Sequence, residues 1–497
     1  MLYGSLHLVL AHHARVLVMI RAKHLVIHQV LHRVLLMGVQ IVLHNVTMDV
    51  PLVLGLVPVV VVEAVVRQRV KVDANAHVLQ LAVSSAQKVR IINNMVRELE
   101  KPWEDGIAKT ITFIVTKDCQ LACKYCYLVG KNANERMSFD IAKKAIDYIL
   151  DNEDWYRQQS VVWEFIGGEP FLEIELIDKI CDYIKFELFR REHHWFNSYR
   201  FSFSTNGINY NSDNVQNFIK KNRKHLSIGI TIDGTKLKHD LNRVYKYSGN
   251  GSYDDVVKNI PLWLAQFDNE PSTKVTVSSP DIQYIKESVL HLFSLGIHEV
   301  DINCVFEDVW KLGDDKLFEQ QLIQLADAII DNRLYQDFVC SFFNEDIGKP
   351  LDKVRDNHNW CGAGVMLSID AAGNFYPCTR FAGYSLRSKK PIIIGNVNNG
   401  IDKNKLRPFL TLDRLTQSPQ ECVDCEVASG CAWCQGENYD AADTNTVYQR
   451  STAICKMHKA RVRANNYYWN KLYRKLELEG EREEFEKNKR KLKPEIC

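Results

Sequence analysis

An α/β fold with its chemistry-bearing residues at one end of a parallel sheet is predicted by three features of the 497-residue chain. From about residue 108, strand-like runs rich in β-branched and aromatic residues alternate with helical patterns, as a parallel sheet with crossover helices requires. The first four runs each end in a short motif: the cysteine loop "TKDCQLACKYCYL", then "GGEP", "STNG" and "TIDG". Reactive residues of such folds sit at the C-terminal ends of strands. A second cysteine-rich stretch, Cys361 to Cys455, follows the alternation and marks a separate small domain.

The first 94 residues differ in composition from the rest. They hold 23 valines and 8 of the 16 histidines, only 3 acidic residues, and no Cys, Phe or Trp. The apolar run Pro51–Val62 is closed by Glu63, short of the ~20 residues that span a bilayer. Arg15, Arg21 and Lys23 interrupt the only candidate for a signal-peptide core. The expectation is that 1–94 is not a native domain and that Met95 is the first residue. The competing reading is a small β-rich domain that captures a peptide leader.

Strands are expected at Ile111–Thr116, Val161–Ile166, Arg200–Ser204, Ser227–Ile232, Lys274–Ser279 and Val300–Val305. Between the first two, Ser138–Leu150 reads as a helix. Ser138 is its N-cap, and Ile141, Ala142, Ala145, Ile146, Ile149 and Leu150 share one face. This alternation defines a domain over 95–310. Residues 311–358 form a bridging region without a readable motif. The cysteine-rich domain spans 359–458, and 459–497 is a helix with a charged tail. Val462, Tyr468, Trp469, Leu472 and Leu476 make its apolar stripe. The segment from Glu481 is expected to fray.

A formal charge of +2 leaves no electrostatic footprint for nucleic acid. The lysine-rich end at 487–493 reads as a solvated helix tail. Fourteen cysteines in a chain this long, clustered at metal-ligand spacings, argue for metal centres in a reducing cytoplasm rather than disulfides. No membrane partner is expected.

Cys119, Cys123 and Cys126 bring three thiolates to one side of a tight loop. Iron–sulfur clusters are held by cysteine thiolates, usually four, so three leave one iron open to substrate. A zinc site would want a fourth Cys or His nearby, and none lies in the next thirty residues. In "GGEP" the glycines permit close backbone approach to a ligand. Asp233 in "TIDG" is a candidate for chemistry, or simply an acceptor of turn N–H groups; His239 is weaker still. In the second set, "MLSIDAAGNFYPC" reads as a hairpin turning near Ala372–Gly373. A zinc ribbon is the structural alternative for Cys422-x2-Cys425 and Cys431-x2-Cys434, but the five-residue spacer between the pairs is short for one.

The C-x3-C-x2-C spacing with Tyr125 before the last cysteine resembles the signature of the radical S-adenosylmethionine (SAM) enzymes. The resemblance implies a partial (β/α)6 TIM-type barrel, with a [4Fe–4S] cluster on Cys119, Cys123 and Cys126 whose unique iron chelates SAM. It implies SAM contacts from Tyr125, from Gly167, Gly168, Glu169 and Pro170 at the methionyl ammonium, and from Ser204 and Asn206 at the ribose or carboxylate end. "IDGTKLKHDLNR" resembles the corresponding stretch of peptide-modifying relatives, with Arg243 as a bidentate fork for the SAM carboxylate.

The second array resembles the SPASM domain, which binds two auxiliary [4Fe–4S] clusters. By that analogy Cys422, Cys425, Cys431 and Cys455 close one cluster. Cys361, Cys378 and Cys434 hold the other, with one iron open to a substrate thiolate, to water or to a stray thiol such as Cys340. Two departures stand out: the third gap is two residues rather than three, and Met366 and Leu367 occupy the place of an extra hairpin cysteine.

Barrel plus SPASM implies modification of a peptide or protein. "GCAWCQGENYD" and "ICKMHKARVRANNYYW" resemble maturases paired with precursors bearing a cysteine every fourth residue, and the likeness covers about 100–475. It implies thioether formation on a ribosomally made, cysteine-rich precursor, with a ferredoxin or flavodoxin as reductant. Anaerobic sulfatase maturation to formylglycine is the alternative. Those relatives commonly carry Asp after the hairpin cysteine, where this chain has Thr379. Epimerisation and carbon–carbon crosslinking stay open, with Cys304, expected in the barrel interior, or Cys340 as hydrogen donor. A non-catalytic iron–sulfur carrier or scaffold is the reading of another class; "GGEP" and "STNG" oppose it, because a carrier needs no SAM pocket. Cys181 reads as buried packing and Cys497 as incidental.

Overall fold

The computed structural model describes residues 5–10, 17–21, 41–42, 61–64, 108–131, 134–152, 156, 158–267, 272–353, 357 and 361–489. The expectations for Met95 and Cys497, and most of those for 1–94, fall outside these residues. The chain divides into two compact units, Met1–Arg90 and Ile91–Cys497. The first contains one four-stranded sheet: β1 (Ser5–Leu10), β2 (Leu17–Arg21), β3 (Ile41–Val42) and β4 (Val61–Ala64), in the order β2-β1-β4-β3.

The second unit is built on the expected alternation. Strands β5 (Ala108–Thr116), β6 (Ser160–Gly167), β7 (Tyr199–Thr205) and β8 (Leu226–Ile230) run parallel in sequence order. A parallel bridge from Thr231 to Lys274 joins them to β9 (Ser272–Val277), which pairs with β10 (Glu299–Cys304). These six parallel strands form the partial barrel. The sheet continues with β11 (Val339–Cys340), parallel to β10, so it reaches into the segment read as a bridge. Two residues are too short a run to register as a strand in sequence.

Register explains the core. Phe113 lies opposite Phe165 and Ile111 opposite Trp163. The rings of Phe113, Phe165 and Phe203 stack at 5.7 and 5.3 Å, and Phe203 meets Phe218 of the flanking helix Asp213–Asn222 edge-on. That face is therefore the outer, helix-covered one. The alternate residues Thr112, Glu164, Ser202 and Ser227 lie in register on the inner face, and Thr112 Oγ1 donates to Glu164 Oε2 at 2.7 Å.

Helix α1 (Phe139–Asp151) starts where expected, with Ser138 Oγ accepting from the Ile141 N–H. It buries Ala142, Ala145, Ile146, Ile149 and Leu150; Ile141 is half-buried. Helix α2 (Ile174–Arg190) buries Cys181. The expected hairpin is present as β12 (Leu367–Ile369) and β13 (Asn374–Tyr376), with Gly373 at φ 77°. Its strand β12 pairs parallel with β5, so the hairpin extends the barrel sheet.

The bridging region also contains α3 (Asp314–Asp331), packed along α4 (Cys455–Glu479) through Asp327 with Tyr467 and Lys471, and Glu319 with Arg463. Val462, Tyr468, Leu472 and Leu476 are buried as expected, and Trp469 is half-buried. Where fraying was expected, α5 (Arg482–Lys489) forms. Arg482 pairs with Glu486 and lies over the Tyr473 ring.

Trp163 is fully buried between Phe113 and Trp195. Trp163→Ala should lower unfolding free energy by about 3–5 kcal/mol, read as a shifted denaturant midpoint; an unshifted midpoint would remove this ring from the core.

Candidate active site and cysteine clusters

The cysteine loop is clamped through its backbone from two sides. On one side the Gly168 and Glu169 N–H groups donate to Thr116 O and Asp118 O at 3.0 and 2.8 Å. On the other, a strap at 242–246 pairs with it: Ala122 N to Val244 O (2.9 Å), Lys124 N to Asn242 O (3.1 Å) and Lys246 N to Gln120 O (2.8 Å). The glycines were expected to admit a ligand. They admit the cysteine loop itself: a Cβ on Gly167 would lie 2.2 Å from Thr116 O, and one on Gly168 2.1 Å from Asp118 O.

Glu169 is buried and joins motif to motif. It accepts from Thr205 Oγ1 (2.6 Å), the Asn206 N–H (2.7 Å) and the Phe171 N–H (3.1 Å), while Pro170 starts the short helix that follows. Burial pushes its carboxyl up from the ordinary range, against these donors. Ser204 shares the inner face of β7 with Ser202 and is half-exposed; Thr205 makes the contact within "STNG". Asn206 turns toward the cysteine loop, donating to Gln120 Oε1 at 3.0 Å and standing 4.0 Å from Cys119 Sγ.

Behind the loop, Asp233 is fully buried. It accepts from the Tyr125 hydroxyl (2.5 Å) and the Thr276 N–H (3.1 Å). Burial opposes its ionisation, but the Lys238 and Arg243 cations and the Tyr125 hydrogen bond outweigh it and hold the carboxyl below its usual range. Arg243 Nη1 donates to the same Tyr125 hydroxyl at 2.9 Å. His239 Nδ1 accepts from the Asp233 N–H and its Nε2 faces Ser252 Oγ at 3.0 Å. Burial, then Arg243, holds His239 down to about 3, so it stays neutral and acts as a strut.

Burial pushes Cys119 up to about 11 and raises Cys123, against the opposing pull of the Arg243 and Lys131 cations. Buried thiolates need a compensating cation, so this donor set suits a metal centre. In the second array, Cys378 lies within charge range of Cys361 and Cys434, while Cys422 and Cys431 lie within range of Cys455 and of each other, and Cys422 of Cys425. Cys422, Cys425, Cys431 and Cys455 line one cavity of about 580 Å³. Arg450 reaches Cys431 Sγ at 3.2 Å. Among the described residues no three His, Cys, Asp or Glu side chains are gathered as for a single metal ion.

The two arrays meet at residues that carried no motif. Arg380 lies 4.4 Å over the ring of Tyr127, pairs with Glu307 at 2.9 Å and bonds Cys434. The Tyr127 hydroxyl bonds Thr379. Only the aromatic next to Cys126 and the arginine two residues after Cys378 hint at this in sequence. Cys304 does not face the barrel interior. Strand alternation sets it with Val300 and Ile302, opposite the exposed Asn303, in charge range of Arg461. Cys340 is buried near the same arginine. Burial raises both thiols to about 12 and keeps them from the lumen.

Residues 113–301 match the model of the Radical SAM superfamily, so the barrel is a radical SAM domain, of a superfamily that binds a [4Fe–4S] cluster and SAM. The chain is 27% identical to an uncharacterised protein of Methanocaldococcus jannaschii over 61% of this chain and 92% of that one. It is 23% identical to a serine-type anaerobic sulfatase-maturating enzyme of Bacteroides thetaiotaomicron over 63% and 78%. The structure of anSMEcpe with bound AdoMet and the Kp18Cys peptide superposes with a TM-score of 0.53 at 17% identity, over 73% of this chain and 99% of that chain. No helix among the described residues is long and apolar enough to cross a membrane.

Gly168→Ala forces a methyl onto a carbonyl that cannot yield. Its reconstituted iron content should fall well below wild type, whereas Gly383→Ala, whose nearest neighbour is Pro391 at 3.7 Å, should load normally. Full loading of Gly168→Ala would undo the clamp. As pH falls below about 6.5 the unfolded chain protonates His239, which the folded chain resists down to about 3, so stability drains through that window. The drop in melting temperature between about pH 7.5 and 5 should shrink in His239→Gln; an equal drop would assign it to other groups.

Proposed function

We propose that this chain is a radical SAM maturase that modifies a ribosomally made, cysteine-rich precursor peptide, and that the bond formed is a thioether. The observation that carries the reading is the Tyr127–Arg380–Cys434 contact, which brings the SAM-cluster loop against the second cysteine array. The peptides named with the anSMEcpe structure support a peptide partner. With a cluster and SAM bound, the site would supply a 5′-deoxyadenosyl radical.

The chain's own residues then have distinct tasks. Cys119, Cys123 and Cys126 hold the cluster, and Arg243 and Asn206 line the SAM side of the loop. Cys422, Cys425, Cys431 and Cys455 hold one auxiliary cluster in their cavity. Cys361, Cys378 and Cys434 would hold the other, which with three protein ligands would leave an iron for a precursor thiolate. The half-exposed inner face bearing Glu164, Ser202 and Ser204 receives the peptide segment, and the outer aromatic layer keeps water from the barrel wall. A ferredoxin or flavodoxin of the cytoplasm is the electron source.

Formylglycine formation is the second reading, favoured by the likeness to the Bacteroides enzyme; Thr379, bonded to Tyr127, stands where a proton-accepting Asp would be needed.

Anaerobic reconstitution tests the proposal. About twelve irons per chain are expected for three four-iron clusters, with 5′-deoxyadenosine formed under dithionite and abolished in Cys123→Ala. About four irons would overturn the auxiliary sites. A short cysteine-repeat peptide encoded beside this gene should lose the mass of two hydrogens and one free thiol per modification. A modified peptide with all thiols free would overturn the thioether.

A further inference from the structure

Arg243 is 6% exposed, and among the described residues its Nε has no hydrogen-bond partner. An unsatisfied N–H of a buried cation is costly, and this guanidinium lies within charge range of Cys123. Its other edge is engaged: Nη1 donates to the Tyr125 hydroxyl, whose proton goes to Asp233 Oδ2. Asp233 Oδ1 is in turn pinned by the Thr276 N–H of β9. The Arg243 backbone is fixed as well, with its N–H on His239 O at 2.8 Å and its carbonyl accepting from Ser252 Oγ at 2.9 Å and the Ser252 N–H at 3.1 Å.

Residues from the cysteine loop, from the end of β8 and from β9 thus converge to orient one guanidinium. We infer that Tyr125 and Asp233 are positioning residues: they hold Arg243 so that its Nε edge stays free for the carboxylate of SAM. This rests on the SAM site proposed above and gives Tyr125 a task other than contact with SAM. Asp233 is then neither a general base nor a mere turn acceptor. A bidentate Arg–carboxylate pair demands a fixed plane. Tyr125 supplies it, because a hydroxyl both accepts from Arg243 and donates to Asp233, which phenylalanine cannot do.

The test uses two ligands on the anaerobically reconstituted full chain: SAM and its decarboxylated analogue, which lacks only the carboxylate. Dissociation constants come from equilibrium dialysis, and the electron paramagnetic resonance change of the reduced cluster on ligand addition gives a second readout. In Tyr125→Phe the SAM dissociation constant should rise about tenfold and that of the analogue less than about twofold, a ratio change worth one decade of affinity. Asp233→Asn should behave alike and serves if Tyr125→Phe folds poorly.

Equal weakening of both ligands, or no change in either, overturns the inference and leaves Tyr125 as packing. Arg243→Gln separates this from failure of the site itself. If that variant keeps the wild-type preference for SAM over the analogue, Arg243 does not face the carboxylate and the SAM-site assignment falls. If it loses the preference while Tyr125→Phe keeps it, only the positioning role falls.

Discussion

Backbone hydrogen bonding around the cysteine loop is the constraint on which the rest of the molecule depends. A loop presenting three thiols to one side cannot close on itself as a helix or strand, yet its buried N–H and C=O groups need partners. They find them in two neighbours from distant parts of the chain. The "GGEP" turn supplies N–H groups at Thr116 and Asp118, and the strap at 242–246 supplies partners at Gln120, Ala122 and Lys124. The two neighbours follow β6 and β8 in the chain, so the loop's geometry is a product of the barrel. Glu169 and Asn206 close the ring, tying the second and third motifs to each other and to Gln120.

A buried polar network sits directly behind this clamp. Lys238 and Asp281 are both fully buried, 3.6 Å apart, and Asn242 donates to Asp281 at 2.6 Å. Asp281 also accepts from Ser278, and Lys238 donates to Thr276 O at 2.7 Å. Removing one partner of such a buried pair costs about 3–5 kcal/mol. The charges are therefore committed to holding the loops after β8 and β9 in one arrangement. The strap that grips the cysteine loop begins at Asn242, inside this network.

The second cysteine array is attached by sheet continuation rather than by a linker. Ser368 pairs with Thr112 and Ile369 with Phe113, so β12 is one more parallel strand beside β5. Because β5 also leads into the cysteine loop, both arrays hang from adjacent strands. Tyr127, Thr379 and Arg380 are thereby brought together, and a change of twist at β5 would move both.

The strands, α1 with its Ser138 cap and the hairpin around Gly373 were legible because local pattern dictates them: alternating burial, a capping hydroxyl, a glycine able to take positive φ. The cysteine sets, "GGEP" and "STNG" were legible as spacings. Partners were not. Nothing in sequence says that Gly168 must clear Asp118 O, that Thr205 rather than Ser204 bonds Glu169, that Cys304 turns toward Arg461, or that Tyr125 spends its hydroxyl on Asp233 and Arg243. Short-range periodicity determined which elements form and which donors the chain owns. Which donors meet was decided by strand register, where a one-residue shift reverses every side chain, and by loops packing across separations from 36 residues (Thr205 with Glu169) to 118 (Tyr125 with Arg243).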